Sequence, residues 1–225
     1  MSTPLARTRS HDTAVSFLPD GRHVVFTRAS AGVRTSSGGD QVRHSDVVVM
    51  DLNGKNRRVI ARAPLYAADY ENPLFSPDGT RFVYEHRRSH FVDRQTRRAL
   101  MVTSANGKSR QRITPWSMNA GDGPDWSPDG TLILFRSNED GDDETQSQIY
   151  TIRPDGTDLR QLTHVPNGTL ILSSTFSPDG QEIVFSMAGK GGAADVYVMH
   201  ADGTDIRPVT QTALWDSAPD WGSAR

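Results

Sequence analysis

Four short, uninterrupted apolar runs recur along the chain: Val24-Val25-Phe26, Phe82-Val83-Tyr84, Ile133-Leu134-Phe135 and Ile183-Val184-Phe185. A run without polar alternation predicts a strand covered on both faces. Each run follows a Pro-Asp-Gly that is preceded, one residue earlier, by an aromatic: Phe17 to Gly21, Phe75 to Gly79, Trp126 to Gly130 and Phe176 to Gly180. A second set of apolar runs, Val47 to Met50, Ala99 to Val102, Ile149 to Ile152 and Val196 to Met199, predicts another strand in each unit. Behind it stand Asn53-Gly54, Asn106-Gly107, Asp155-Gly156 and Asp202-Gly203. These dipeptides mark hairpins, because both central residues of the tight turn need positive φ. A last strand is expected around Val59, Ile113, Leu162 and Val209.

With the segment leading into each aromatic as a first strand, every unit reads as a four-stranded meander. The fold class predicted is all-β, a β-propeller of four four-stranded antiparallel blades within one domain, at about 12–62, 70–115, 121–164 and 171–211. Ala218-Pro219-Asp220-Trp221-Gly222 lines up with Gly123-Pro124-Asp125-Trp126-Ser127, which predicts a fifth, partial first strand over 216–222 at the C-terminus. Length varies mainly between the second and third strands. By strand parity the loops 28–45, 87–97, 137–147 and 187–194 then open on one face, opposite the tight turns, and binding residues are expected there.

Phe-Ser-Pro-Asp-Gly, an apolar strand, Asp195-Val196-Tyr197-Val198-Met199 and Asp202-Gly203-Thr204-Asp205 closely resemble the TolB-like propeller repeat, related in architecture to WD-repeat propellers. The resemblance covers residues 12 to 222. The repeat is also similar to that of propellers attached to serine peptidases of the prolyl oligopeptidase type, and of oligogalacturonate lyases, so the fold does not fix an activity. TolB-like propellers commonly have six blades, and an ending like Ala218 to Trp221 implies a strand completed by N-terminal strands. Only a short segment precedes Asp12. A small four-bladed ring, pairing between two chains and an N-terminally shortened larger propeller all stay open.

The formal charge is −2 with no basic run, which argues against nucleic acid and anionic lipid as partners. The absence of cysteine excludes disulfides and thiolate chemistry but leaves cytoplasm and periplasm equally open. Met1 to Asp12 reads as no secretory signal, and no stretch approaches the roughly 20 apolar residues of a membrane span, so a soluble chain is expected.

Several constellations could carry chemistry. Asp12, Glu71, Asp122 and Asp216 precede first strands, which puts a ring of carboxylates at a channel mouth, suited to a cation or a peptide amino end. Leu172 interrupts that ring, and each carboxylate could instead accept backbone N–H groups. His11, His44, His86, His90 and His164 fall in the expected open-face loops, as a metal or acid–base site or as scattered surface residues. On a strand, His86 and His90 would lie about 13 Å apart, so they share a metal only if the chain turns back. Asn138 to Glu144 is dense in oxygen ligands without the full calcium-loop spacing, and reads otherwise as a solvated acidic loop. Arg87, Arg88, Arg94, Arg97 and Arg98 could grip an anion or face neighbouring acidic loops. No Gly-x-Ser-x-Gly, phosphate loop, dinucleotide fingerprint or His-Glu-x-x-His occurs in the 225 residues.

These features point to a non-catalytic propeller that binds a protein, peptide or small ligand at the open face and channel mouth. His44, Glu71, His86, Arg87, Asp122, His164 and Asp216 are the candidate contacts. The alternative is an enzyme, a lyase or hydrolase, that uses the histidines and arginines with or without a divalent metal. A third reading is a structural fragment that acts once assembled with a second chain. No cofactor is required, a divalent cation being the one candidate, and a homo-oligomer is expected if the ring does not close in one chain.

Overall fold

The computed structural model describes residues 11–29, 44–64, 68–89, 96–138, 147–189 and 191–221. By their internal contacts the residues fall into two compact units, Met1–Gln111 and Arg112–Arg225, each taken here by itself.

In the first unit, β1 (His11–Phe17), β2 (His23–Ala29), β3 (Ser45–Asp51) and β4 (Arg58–Ala61) form one antiparallel meander. β5 (Ala68–Phe75), β6 (Arg81–Ser89), β7 (Thr96–Ser104) and β8 (Arg110–Arg112) form the next, with β8 running across the unit boundary. One parallel pairing, Ser45 with Asp69, joins both meanders into a single sheet. In the second unit a short 3₁₀ turn (Trp116–Met118) precedes β9 (Ala120–Trp126), β10 (Ile133–Ser137), β11 (Gln148–Ile152) and β12 (Arg160–Gln161). β13 (Leu170–Phe176), β14 (Glu182–Ala188), β15 (Ala194–His200) and β16 (Arg207–Pro208) follow. Each of the four repeats is thus a four-stranded meander. The fourth strands are short, because β12 and β16 keep only two ladder residues each.

The apolar triplets are the core. Phe26, Tyr84, Phe135 and Phe185 are all buried, as strands covered on both faces require. Val25, Val47, Tyr70, Phe75 and Tyr84 pack in one cluster of the first unit, and Leu134, Ile149, Phe176, Phe185 and Met199 in its counterpart of the second. Three of the four Pro-Asp-Gly turns share one hydrogen-bond pattern, and the first has Leu18 in place of the serine. Ser76 Oγ donates to Asp78 Oδ1 at 2.6 Å, as Ser127 does to Asp129 and Ser177 to Asp179. These bonds, with the Thr80 N–H, hold the Asp78 carboxyl down at about 2.

The hairpin glycines do more than turn. A Cβ on Gly107 would sit 1.6 Å from the Ile60 carbonyl oxygen, and one on Gly203 would sit 2.6 Å from that of Leu162. The tips of these two hairpins therefore lie on the fourth strand of the preceding meander, and only glycine fits there.

Two expectations change. Residues 87–89 and 96–97 lie in β6 and β7, since Arg87 pairs with Arg98 and Arg88 with Arg97, so the loop between them is shorter than 87–97. The expected closing strand over 216–222 makes no ladder in its described residues, 216–221. It holds to the fourth meander by the Asp216 N–H on the Ala194 carbonyl at 2.8 Å. His90, Arg94 and Glu139 to Glu144 lie outside the described residues, as does the side chain of His11.

Candidate functional site

All four first strands break register near their middle: between Thr13 and Ser16, Glu71 and Leu74, Gly121 and Asp125, and Ile171 and Ser173. Backbone φ is positive in the first three breaks, at Ala14, Asn72, Asp122 and Gly123, and not in the fourth. The residue just past the buried aromatic of the second strand borders each break. It is polar every time: Thr27, Glu85, Arg136 and Ser186. Glu85 accepts from Asn72 Nδ2 at 2.5 Å, Arg136 donates to the Asp122 carbonyl through Nη2 at 2.6 Å, and Ser186 shares a 2.8 Å bond with Ser173. None of these residues stood out in the sequence, because their types differ while their position recurs.

The second meander carries the densest charge at its break. Strand alternation puts Asp69, Glu71, Glu85, Arg87 and Arg98 on one face. Glu71 is half-buried, and Arg87 Nη1 donates to its Oε1 at 3.4 Å. Burial pushes the Glu71 carboxyl upward, Arg87 and Arg98 oppose that, and Glu85 and Asp69 add to it. Ser45 Oγ donates to Asp69 Oδ1 at 3.0 Å.

His86 is on the opposite face. It pairs with Tyr70, whose ring it meets edge-on at 5.0 Å, and it is buried. Burial first, then the charges of Arg88 and Arg110, depress its imidazole to about 4. It is a neutral core residue at ordinary pH, apart from Glu71 and Arg87. His44 stands half-buried just ahead of β3. In the second unit, Asp122 lies in β9, and its backbone carbonyl takes the Arg136 guanidinium. His164 is exposed between β12 and β13. Asp216 lies in the tail, where Thr212 Oγ1 donates to its Oδ2 at 3.0 Å. Within the first unit, then, Glu71 and Arg87 come together while His86 is turned away.

Among the described residues no three of His, Asp and Glu come together as metal ligands would. The Glu71 and Arg87 pair offers an acceptor and a donor side by side on a sheet face, an arrangement that can hold a polar or zwitterionic group.

Repeated four-stranded meanders with a bulged first strand define the blade of a β-propeller. The chain is similar to TolB-like propellers in repeat and in fold. No protein-family model matches the chain. The uncharacterized peptidase YuxL of Bacillus subtilis (strain 168) is 30% identical over 128 residues, 55% of this chain and 18% of that protein. The Tol-Pal system protein TolB of Anaeromyxobacter dehalogenans (strain 2CP-C) is 33% identical over 98 residues, 44% of this chain and 21% of its own length. TolB from Acinetobacter baumannii superposes with a TM-score of 0.64 at 20% identity, over 95% of this chain and 47% of that one. An oligogalacturonate lyase in complex with manganese gives 0.63 at 19% identity, over 92% and 55%. At these identities the structural likeness shows the fold. The chain spans about a fifth of the curated relatives named and about half of each of these two structures.

Proposed function

We propose that this chain is a binding module without catalysis of its own, and that the first-strand break of the second meander contacts a protein or peptide through Glu71 and Arg87. The observation that carries this reading is a half-buried carboxyl, pushed upward by burial, beside an arginine whose charge only partly offsets that rise. Such a pair is under-solvated when empty and gains by receiving a donor and an acceptor from an extended backbone or a peptide amino end. The Tol-Pal system protein among the relatives supports a protein partner. The other sequence-derived contacts, His44, Asp122, His164 and Asp216, remain proposed contributors, and His86 supports the site from the reverse face of its strand.

The relatives also include a peptidase, and the fold is shared with a manganese-bound lyase, so catalysis is the second reading. One experiment addresses both. Peptides selected from a random display library on the wild-type chain are expected to bind Glu71→Gln and Arg87→Ala at least about tenfold more weakly, the worth of one charge-assisted contact. Equal affinity would remove this site from the reading. Stoichiometric manganese binding to the wild type, lost in Glu71→Gln, would move the chain to the metal-dependent alternative.

A further inference from the structure

Asparagine is followed by glycine at three places in the sequence, Asn53-Gly54, Asn106-Gly107 and Asn167-Gly168. We propose that Asn167 is a self-modification site: its side-chain amide is lost to attack by the Gly168 backbone nitrogen, and the connection between β12 and β13 gains an aspartate or isoaspartate. The two hairpin asparagines stay intact.

The step needs water and no redox partner. The Gly168 nitrogen gives its proton to solvent base and forms a bond to Asn167 Cγ, the Cγ–Nδ2 bond breaks, and ammonia leaves. Water then opens the resulting succinimide ring at either carbonyl, so an amide and a water become a carboxylate and an ammonium ion. Opening at Cγ restores the backbone with aspartate in it. Opening at the other carbonyl leaves the chain running through Cβ and Cγ as isoaspartate. Glycine favours ring closure because it has no Cβ to obstruct the approaching Cγ. Two conditions then decide among identical dipeptides. The glycine N–H must be free to lose its proton, and the asparagine side chain must be free to swing onto it.

Both hairpin steps fail these conditions. The Gly54 N–H donates to the Asp51 carbonyl at 2.9 Å and the Gly107 N–H to that of Ser104 at 2.7 Å, each closing its turn. Asn53 Oδ1 accepts from the Lys55 N–H at 2.9 Å. Asn106 Oδ1 accepts from the Lys108 N–H at 3.0 Å and from Ser104 Oγ at 2.7 Å. Gly107 is also packed on the Ile60 carbonyl, which leaves the turn no room to open without lifting off β4.

Asn167-Gly168 sits differently in its turn. The Thr169 N–H donates to the Pro166 carbonyl at 3.1 Å, and Gly168 has φ of 85°. Gly168 is therefore the third residue of a type II turn, where the fourth residue supplies the donor. In the two hairpins glycine is itself the fourth residue. Among the described residues no hydrogen bond is made by the Gly168 N–H or by the Asn167 side chain, which is exposed. The turn is held at both feet. Gln148 Nε2 donates to the Val165 carbonyl at 2.9 Å and its Oε1 accepts from the Val165 N–H at 3.0 Å, while the Ser147 N–H donates to the Thr169 carbonyl at 3.4 Å. The backbone atom that isoaspartate inserts thus falls in the tip, 166–168, and not in the ladder of β13.

Trypsin separates the three steps into the peptides 44–55, 99–108 and 161–190, each with a single asparagine. The folded full-length chain is aged in mildly alkaline buffer, digested at intervals, and its peptides are weighed against an unaged digest. Peptide 161–190 is expected to gain one mass unit at least about tenfold faster than the other two, which must first break a turn bond and release a held side chain. In concentrated urea, where no turn is held, the three are expected to react at similar rates. Asn167→Gln, whose side chain would have to close a larger and slower ring, is expected to abolish the gain in 161–190 while leaving circular dichroism unchanged. Equal rates in the folded chain overturn the proposal, as does a gain in 161–190 that survives Asn167→Gln. The same order of rates in urea as in the folded chain also overturns it, because the turn would then decide nothing.

Discussion

The second and third meanders place opposite charges at one structural position, Glu85 in one and Arg136 in the other. Arg136 reaches the Asp122 carbonyl of its own first strand and the Ile171 carbonyl of the next meander, so its charge is absorbed by backbone and serves cohesion. Glu85 accepts from the Asn72 amide within its own meander, and on the same face Glu71 and Arg87 stand half-exposed. A bulge can be closed by either sign of charge. A meander that closes it with a carboxylate keeps a charged face open beside it, whereas the arginine fastens two first strands together.

Removing what both meanders share should produce the largest effect. Tyr84→Ala and Phe135→Ala each delete a fully buried ring at equivalent positions, and each is expected to lower unfolding free energy by about 3–5 kcal/mol in denaturant titrations. A value below about 1 kcal/mol at either position would mean that the ring is not enclosed as described. Next comes the contrast itself. Arg136→Ala removes a guanidinium that two first-strand carbonyls share, of which that of Ile171 keeps Ser147 Oγ, and is expected to cost about 2–3 kcal/mol, against about 1–2 kcal/mol for Glu85→Ala, which removes the acceptor of the Asn72 amide. Equal losses would erase the distinction between a staple across meanders and a local cap.

Much of this architecture was legible in the sequence. Pro-Asp-Gly, the apolar triplets and the Asn-Gly or Asp-Gly hairpins recur with the same residue types because turn geometry and double-sided burial tolerate few substitutes. The candidate site was less legible. Glu71 and Arg87 could be named from the repeat, but Glu85 and Arg136 could not, since bulge-closing groups need a hydrogen-bond partner and not a fixed residue type. His86 looked like a loop ligand because the length of the second and third strands was underestimated. Two more turns of the ladder put it in the core against Tyr70. Gly107 read as a turn residue, and its contact with the Ile60 carbonyl depends on a partner 47 residues away in the chain, invisible to local pattern.

His86 provides the pH-dependent comparison between the two faces of the second meander. Its imidazole titrates at about 4 when folded and near 6.5 when unfolded, so between those values the unfolded chain binds the proton and the native chain does not. Stability from this group is full above pH 6.5, falls as pH drops towards 4 and levels off below it. Replacing His86 with Leu should flatten the melting temperature across that window. An unchanged pH slope in His86→Leu would place the responsible group elsewhere.

The smallest expected effect lies on the other face, and its sign is opposite. Burial raises the Glu71 carboxyl above its ordinary 4.5, so the native state binds its proton more readily than the unfolded chain does, and at neutral pH the ionised group opposes folding. Arg87 offsets part of that at 3.4 Å, and the pair is partly solvated, so the net cost is no more than about 1 kcal/mol. Glu71→Gln should leave stability at pH 7 unchanged or raise it by a few tenths of a kcal/mol, as surface-pair changes do. The gain should shrink as pH falls and the native carboxyl protonates. Urea midpoints of wild type and variant at pH 7 and pH 4 measure both points. A variant clearly less stable than wild type at pH 7 would mean that Glu71 serves the fold, and the charged face would then lose its standing as a binding surface held at a small cost in stability.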